Sequence, residues 1–533
     1  MRRVLLWAFL AGTIVPFRAR AQAPSPAGLH GAGAVDTPRA GVRPVPRQPS
    51  PFLASDHWAA IAARRLHAVG LVPLTYEPGA LRAPRLVEVA AAFAWATERG
   101  PDDATRQLAA RYLELLQQEL GTSRFTAPGD PDEAPRTARA FVSGAGVVGG
   151  EIVDGLGGTG SGYAPGADWT GAVRLDDRAT PLGGVRAIGA LGRRIGFGVD
   201  AEAHTDGVDV DAAYVVLDAG FVGFWAGRRQ LSFGPGWGGT IALGDDHSFT
   251  GAGMYFAEGA RLPWLLRYLG PVRFEAFLSR VENGDSAAWS ARDPFFGAAR
   301  LSSNLHPRFS LGATRAVMFG GDNAPPASLG RVWRMIIGDP STSEGGAWSN
   351  EVFAWDIRWR PPIGRLPLLL YTELGFDDAS GAFYRAPAVV AGLELAMIPG
   401  APALGAGVEH VYFSRGSFKN PIWYRNYALR GGWSNERRPL GHPIGGHGRG
   451  WLAHASIDAL DARLRLRATG FRYVRGIENL FAPERRGTAL GWTLDAAFRA
   501  TPRLELAAEG RVEDGAAWRE VRIALRGVYR PDR

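Results

Sequence analysis

Cysteine is missing from all 533 residues of the chain. Its absence excludes a disulfide framework, a thiolate metal site and a cysteine nucleophile. Lysine is almost missing too, because Lys419 is the only one, so nearly all of the 60 basic residues are arginine. Arginine binds carboxylates and phosphates in a bidentate way that lysine cannot match. This bias favours acidic sugars or the phosphates of lipopolysaccharide as neighbours.

Several functional signatures are missing as well. Beyond the N-terminal segment no stretch has the roughly 18 consecutive apolar residues that a membrane-spanning helix needs, which excludes a helical membrane protein. The sequence contains no arginine-rich run, zinc-finger spacing or aromatic RNA-binding motif, so it predicts no nucleic-acid partner. It also contains no G-x-S-x-G elbow and no H-E-x-x-H helix, and therefore predicts neither an enzyme nor a cofactor.

The N-terminus has the three parts of a bacterial export signal. Arg2 and Arg3 precede the apolar run Val4–Phe17, and Ala21-Gln22-Ala23 fits a small-x-small cleavage site. We therefore predict a signal peptide at residues 1–23. Because the run is shorter than the roughly 20 residues of a membrane-spanning helix, an uncleaved anchor is the less favoured interpretation. Removing this segment lowers the formal net charge from +8 to +4, because it contains four arginines and no acid.

The next regions differ in composition. Residues 24–54 are proline-rich and predict a flexible leader. Residues 55–125 carry apolar residues at spacings of three and four, which predicts three helices in a small periplasmic domain, with Ser55 or Asp56 and Asp102 or Asp103 as N-caps. The start at Asp56 also resembles a single S-layer homology repeat. Residues 126–137 predict a linker.

From residue 138 to residue 533 the apolar period becomes two. In Arg503–Arg511, Leu504 and Leu506 alternate with Glu505, and the last segment from Glu520 to Tyr529 repeats the pattern. Charges inside a strand suit a polar lumen better than lipid. The 71 glycines and 17 tryptophans suit strands, turns and interfacial girdles. The strand count and the export signal weigh against a soluble β-sandwich. The fold class is therefore mainly β: a transmembrane antiparallel barrel, predicted to have eighteen strands.

Aromatic side chains near strand ends predict interfacial girdles. The candidates are Trp225, Tyr255, Trp333, Trp355, Trp359, Tyr371, Tyr412, Phe471 and Tyr473. The C-terminus is unusual for a barrel, because Tyr529 is followed by Arg530-Pro531-Asp532-Arg533 instead of ending the chain.

The most distinctive motif is GRRQLSFGPGWGGTIAL at Gly227–Leu243, which predicts a strand ending near Arg229, a glycine-rich turn and a second strand. NEVFAWDIRW at Asn350–Trp359, YTELGFD at Tyr371–Asp377, and YRNYALRG with PLGHP within 424–443 follow in order. Together these motifs resemble the Wzi family of capsule assembly proteins over roughly Ser55 to the C-terminus. The chain departs from that family at Phe233, where a tryptophan is usual, and at Asp245-Asp246-His247-Ser248.

The resemblance implies that the outer loops bind polysaccharide. The candidate binding residues are Arg228, Arg229, Gln230, Trp237, Asp245, Asp246, Tyr424, Arg425, Arg430 and His442. The competing structural interpretation is an ion-pair network of the arginines with Asp245, Asp246 or Glu258. GPGWGG lacks the Lys-Ser/Thr of a phosphate loop, so its glycines predict tight turns and close backbone approach. His442 and His447 lack a third ligand, so we predict no metal. Loop solvation better explains Asp246 and His247 than acid–base catalysis.

The resemblance implies a non-enzymatic, monomeric protein of the bacterial outer membrane. It would lie among membrane lipids and lipopolysaccharide and would retain acidic capsular or exopolysaccharide at the cell surface. Arginine and aromatic residues in Gly284–Asp293, Asn323–Asn350 and Ser414–Gly450 favour these segments as its outer loops. The alternative is a porin or solute channel, which a polar lumen also permits. A hydrolase acting on lipid or glycan is a third and weaker possibility.

Overall fold

The computed structural model describes most of the chain beyond the N-terminus. The ranges are 50–54, 57–77, 84–120, 139–154, 180–191, 194–204, 207–283, 291–324, 330, 349–363, 366–377, 386–415, 423–426, 428–436, 438–480 and 485–530. Except for Gly330, these residues belong to one compact unit, Pro46–Pro326 with Ala347–Arg533. The predicted signal peptide, most of the predicted leader and the linker at 126–137 lie outside the described residues.

The predicted helical region forms three helices, α1 (Trp58–Ala68), α2 (Leu86–Arg99) and α3 (Asp103–Leu120). Asp102 caps α3, because its Oδ1 accepts a hydrogen bond from the N–H of Thr105 at 2.7 Å. The cap of α1 is His57, one or two residues later than predicted; its Nδ1 accepts from the N–H of Ala59 at 3.2 Å. Within the described ranges, no helix is long and apolar enough to cross a membrane.

The remaining elements are strands and a short 3-10 helix at Trp264–Leu269, and two of the strands, β15 and β16, form a separate small hairpin. The strands are β1 (Arg139–Asp154), β2 (Thr180–Leu191), β3 (Ile195–His204), β4 (Gly207–Asp218), β5 (Val222–Phe233), β6 (Leu243–Phe256), β7 (Ala260–Arg261), β8 (Pro271–Arg280), β9 (Phe295–His306), β10 (Phe309–Phe319), β11 (Ser349–Trp359), β12 (Leu368–Asp377), β13 (Pro387–Leu395), β14 (Leu404–Phe413), β15 (Ser434–Asn435), β16 (Arg438–Pro439), β17 (Gly448–Ala459), β18 (Leu464–Arg475), β19 (Gly487–Arg499), β20 (Leu504–Gly515) and β21 (Arg519–Tyr529).

Among the described residues, the main sheet has nineteen antiparallel strands, of which β7 has only two residues. The other eighteen match the number predicted from the sequence. Each long strand pairs with its neighbours in chain order, with β15 and β16 left out. The last strand, β21, pairs with β20 on one side and with β1 on the other. The pairings thus return to the strand where they begin, as in a barrel.

The alternation of exposure confirms the two-residue period of the sequence. In β20, Leu506 is 49% exposed whereas Glu505 and Glu509 are buried. In β21, Ile523 is 58% exposed while Glu520 and Arg522 are buried. Apolar side chains therefore face outward and charged side chains face inward, because successive residues of a strand point to opposite faces.

The predicted aromatic girdle is only partly right. Trp355, Trp359 and Tyr412 are exposed on the outer face. Trp333 lies outside the described residues. The other five candidates are buried, and their strand positions point inward: Trp225, Tyr255, Tyr371, Phe471 and Tyr473. The aromatic type alone does not reveal the face, because a shift of one residue in a strand moves a side chain to the other side.

The two ends of the sheet differ in their connections. At one end the turns are short, as between β13 and β14 or between β19 and β20; at the other end the connections are long, as between β10 and β11 or between β14 and β17. The helices lie at the short-turn end. Arg65 of α1 donates to the carbonyls of Ala396 at 3.0 Å and Pro402 at 2.9 Å in the turn after β13. At the end of the predicted leader, Phe52 is buried and its N–H donates to the Tyr214 hydroxyl at 2.9 Å.

Candidate functional site

The hairpin of β5 and β6 is longer than its neighbours. Strand β5 pairs with β4 only as far as Arg228, and β6 pairs with β8 only as far as Thr250. Between them the hairpin pairs with itself up to Phe233, so the strand continues beyond the predicted end near Arg229. Its tip, which we call the inserted loop, comprises residues 234–242. Most of this loop is buried, so it is folded into the molecule and not extended into solvent.

The glycines of the inserted loop serve close backbone contact, as the sequence predicted. A Cβ atom on Gly236 would lie 1.9 Å from the carbonyl oxygen of Gly239, and Gly239 itself has a φ of +145°. Only glycine fits such a turn without displacement of the backbone. The turn leads into strand β6 and not into a helix, which agrees with the exclusion of a phosphate loop.

Two inward carboxylates hold the backbone of the inserted loop. Glu409 of β14 accepts hydrogen bonds from the N–H groups of Trp237 at 2.6 Å and Gly238 at 3.0 Å. Glu373 of β12 accepts from the N–H of Ile241 at 3.0 Å. Both carboxylates are buried. A buried N–H that lacks an acceptor is costly, so these bonds stabilise the loop in this position.

The side chain of Trp237 lies between the barrel wall and the helical region. Its ring stacks on His454 of β17 with centroids 3.8 Å apart and an interplanar angle of 7°. The guanidinium groups of Arg64 and Arg467 lie 4.9 and 5.2 Å from the ring centroid. Arg64 of α1 also donates to the carbonyls of Pro235 and Gly236, both at 3.1 Å. The inserted loop therefore contacts the helix that comes from the short-turn end.

Tyr424 and His442 are brought together within the connection between β14 and β17. The Tyr424 hydroxyl donates to the carbonyl of Ile241 at 2.6 Å and accepts from the N–H of His442 at 3.1 Å. Burial raises the pKa of Tyr424 well above its usual value, so the hydroxyl remains protonated. The N–H of Tyr424 donates to Asp377 at 2.6 Å. Tyr424 and His442, both predicted site residues, therefore support the inserted loop on the side of the long connections.

The arginine pair at the start of the motif is engaged in ion pairs. Arg228 lies 2.5 Å from Glu436, and Arg229 lies 3.1 Å from Glu275. Both described partners, Glu436 and Glu275, are acids of other elements that the ion-pair interpretation did not name. Arg229 is 2% exposed, with its guanidinium carbon 3.4 Å from the ring centroid of Phe52. Gln230 is partly buried beside it on β5.

The segment Asp245 to Ser248 is a strand, which corrects the prediction of a solvated loop. It belongs to β6, and Ser248 pairs with Gln230 of β5. His247 is 0% exposed, and its Nε2 lies 2.8 Å from the carbonyl of Pro439. The side chains of Asp245 and Asp246 lie outside the described residues. The polar composition of this segment is typical of a loop. In the structure, however, this part of β6 pairs with β5 alone, within their shared hairpin.

Two of the predicted binding residues are exposed at the long-loop end. Arg425 and Arg430 have exposed side chains, and Arg425 Nη2 donates to the carbonyl of Asn479 at 2.7 Å. They stand one and six residues after the buried Tyr424. The predicted outer loops around them are described only in part, because 284–290, 331–348 and 416–422 lie outside the described residues.

The acids that organise this site were not among the predicted residues. Glu373, Asp377 and Glu409 contact the inserted loop or the N–H of Tyr424, and Glu436 pairs with Arg228 of β5. Three of them are inward residues of strands that otherwise carry apolar side chains. A buried carboxylate is costly unless it is hydrogen-bonded. Acidic residues at inward positions of these strands were therefore the feature of the sequence that could have revealed the site.

Comparison with known proteins gives one family and several structures. The model of the family described as "Capsule assembly protein Wzi" matches residues 162–521. The solved structure of Wzi from Escherichia coli, described as an outer-membrane carbohydrate-binding β-barrel involved in group 1 capsule assembly, is 16% identical, covers 90% of this chain and 100% of its own, and has a TM-score of 0.68. No curated protein sequence matches significantly.

More distant similarities concern proteins of Pseudomonas aeruginosa. OccK5 (OpdH) is 11% identical, with 74% of this chain and 97% of its own covered and a TM-score of 0.42. OpdO is 12% identical, with 75% and 98% covered and a TM-score of 0.43.

Proposed function

The chain belongs to the family of capsule assembly proteins called Wzi, and from this premise we propose that it retains an acidic polysaccharide at the cell surface without catalysis. It is an outer-membrane protein with the fold of the Escherichia coli protein. Bacterial barrels have short turns on the periplasmic side and longer loops outside. The short-turn end with the three helices therefore faces the periplasm, and Arg425 and Arg430 face the exterior.

The observation that carries the proposal is a pair of exposed arginines on a rigid base. The base is formed by Tyr424, Trp433 and His442, all of which are 0% exposed. The Trp433 indole N–H donates to the carbonyl of Ala242 at 2.9 Å, so the base is attached to the inserted loop. Guanidinium groups bind carboxylates in a bidentate way, and holding them in place lowers the entropic cost of binding.

The alternative of an open solute channel finds less support in the described residues. The inserted loop lies between Glu373, Glu409 and His454 on the inner wall, and α1 contacts it from the other end. A barrel of this size conducts when its lumen is open. We therefore expect purified protein in planar bilayers to show near-silent conductance. Large, stable single-channel currents would favour the channel instead.

The binding proposal is tested with purified protein and an acidic polysaccharide, a polyuronate such as alginate, against neutral dextran as reference. The double variant Arg425→Gln/Arg430→Gln should weaken alginate binding at least tenfold. Arg503→Gln, an exposed arginine in the turn between β19 and β20 at the opposite end, is the matched control and should bind normally. Equal binding of alginate by all three proteins contradicts the placement of the site.

A cellular test addresses retention itself. Deletion of the gene should transfer polysaccharide from the cell-bound fraction to the medium without changing the total amount. Expression of the double arginine variant should restore little of the cell-bound fraction, whereas the Arg503→Gln control should restore it. Unchanged cell-bound polysaccharide in the deletion strain contradicts the function as a whole.

A further inference from the structure

A short 3-10 helix at Trp264–Leu269, between β7 and β8, exposes an unusual amount of apolar surface. We call it the outer helix. None of its six residues is buried. Trp264 is 80% exposed, Leu265 59% and Tyr268 67%. Contiguous exposed apolar residues mark an interaction site on a protein surface.

The outer helix lies on the outward face of the barrel wall. In β9, Ser302 and Asn304 point inward, because Ser302 contacts Glu77 and Asn304 donates to the carbonyl of Leu74 at 2.8 Å. Ser303, between them, therefore points outward. Its hydroxyl donates to the carbonyl of Leu269, the last residue of the outer helix. The helix is thus attached to the outside of the wall at the short-turn end.

The exposure of β8 agrees with this position. Its outward residues run from Val272, next to the outer helix, to Leu278, farther along the strand. Val272 is only 3% exposed whereas Leu278 is 46% exposed. The outer face is therefore covered near the outer helix and open farther along the strand.

Gly270 permits the close attachment. It ends the outer helix with a φ of +70°, and a Cβ atom there would lie 2.1 Å from the carbonyl oxygen of Asn304. A side chain at this position would push the helix away from β9. The local backbone is therefore built to hold the helix against the wall.

The charges next to the apolar side chains suit a phospholipid surface. Arg261 and Arg267 are both exposed, and among the described residues neither forms an ion pair with an acid. Arg267 donates to the Tyr268 hydroxyl at 3.0 Å, so cation and aromatic ring share one surface. Aromatic rings sit at the level of lipid headgroups, and guanidinium groups bind phosphate.

The outer helix continues an apolar surface that the barrel already turns toward lipid. At the same end of the barrel, the rings of Phe221 and Phe256 are 4.7 Å apart, and those of Phe256 and Phe274 are 5.6 Å apart. Phe274 is an outward residue of β8, and Phe221 is 48% exposed. These three phenylalanines and the outer helix belong to neighbouring segments of the same wall. Lipid that covers the phenylalanines therefore also reaches the helix.

We propose that the outer helix is an interfacial anchor that inserts Trp264, Leu265 and Leu266 into the headgroup layer of the phospholipid leaflet on the short-turn side. Arg261 and Arg267 contact the lipid phosphates. The anchor fixes the depth of the barrel on the side where the helical region lies, and it is independent of polysaccharide binding. The occupant is the lipid surface itself and not a periplasmic protein.

The absence of cysteine from the chain makes a direct test possible. Single-cysteine variants Leu266→Cys and Tyr268→Cys carry a nitroxide label in full-length protein reconstituted into vesicles of phosphatidylethanolamine and phosphatidylglycerol. Accessibility to oxygen and to a water-soluble nickel complex then reports depth. Val215→Cys, on the outward face of β4 and originally 52% exposed, is the lipid reference; Leu460→Cys, in the turn after β17 and originally 63% exposed, is the water reference.

Both labels on the outer helix should lie between the two references, with oxygen accessibility at least twice that at position 460. Because the vesicles contain no other protein, water-like values at positions 266 and 268 overturn the proposal and favour a protein partner. Replacing phosphatidylglycerol by phosphatidylcholine should move the label of Leu266→Cys away from the bilayer and toward water. This shift should be smaller in Leu266→Cys/Arg267→Gln, and an equal shift in both contradicts the role of the arginine.

Discussion

Arg530 Nη2 lies 3.0 Å from Oε1 of Glu119, so the residue after the last strand is bound to the third helix. Glu119 also accepts from Arg499 at 2.6 Å and from the Trp58 indole at 2.7 Å, and lies 3.1 Å from His57. Arg530, the residue after Tyr529, thus has a structural role. It attaches the helical region to the strand that closes the ring.

Arg530→Ala should loosen the helical region while the strands remain intact. Because Glu119 keeps three other partners, we expect a loss of about 1–3 kcal/mol in the opening free energy of the helices. Hydrogen exchange of the amides in α1–α3 measures it. Arg503→Ala, in the neighbouring turn, is the control and should exchange like the parent protein. Unchanged exchange in Arg530→Ala would show that Arg530 does not hold the helices.

Acid should loosen the helical region in two stages. Burial and four neighbouring arginines lower the pKa of His67 well below its usual value, so the native ring is neutral. Since the unfolded ring has a pKa of about 6.5, its contribution is present above that pH and is lost as the pH falls below it. The opening free energy of α1–α3, obtained from hydrogen exchange relative to the intrinsic exchange rate at each pH, should therefore fall below about pH 6.5, and His67→Gln should lack this first stage.

The second stage belongs to Glu119. Burial alone would raise its pKa, but the charges of His57, Arg530 and Arg499 together hold the pKa well below its usual value. Its contribution is present above the unfolded pKa of about 4.3 and is lost as the pH falls through the native value. Glu119→Gln should remove this stage and leave the first. A single stage that neither variant alters contradicts the assignment to these two groups.

Trp237→Ala should make the lumen leaky. The variant removes the ring that lies between His454, Arg64 and Arg467, and leaves a gap between the loop and the barrel wall that the remaining hydrogen bonds of the loop backbone do not fill. Single-channel currents in planar bilayers should rise severalfold and fluctuate. Trp355→Ala, on the outer face at 57% exposure, should stay silent. If neither variant conducts, other residues close the lumen.

Tyr424→Phe should destabilise the inserted loop without changing its shape. The loss of the hydroxyl leaves the carbonyl of Ile241 without this donor and the N–H of His442 without this acceptor. A buried polar group that loses its partner costs about 1–3 kcal/mol. Thermal unfolding followed by calorimetry should show a lower Tm, whereas Tyr412→Phe on the outer face should match the parent. A Tm equal to that of the parent would remove Tyr424 from the bracing role.

Local patterns were sufficient for the parts of the molecule that depend on neighbours in the chain. The alternation of Leu506 with Glu505 determined the faces of β20, because the strand period is two, and the Asp102 cap of α3 follows from a side chain three residues from its partner. The same patterns predicted eighteen strands. They could not reveal that Trp225 and Tyr371 face inward, because both faces of these strands carry aromatic or apolar residues.

Tertiary structure decided what the polar residues do. Trp237 and Glu409 are 172 positions apart, and Arg530 and Glu119 are 411 apart, so no local spacing connects them. The sequence placed Arg229 on a strand. The burial of Arg229 and His247, in contrast, arises because the hairpin of β5 and β6 is longer than the neighbouring strands and folds inward. The amino-acid sequence by itself determined the barrel and its two faces, through periodic burial. Closure of the ring brought distant charges together, and this decided which polar residues support the inserted loop and which stay exposed.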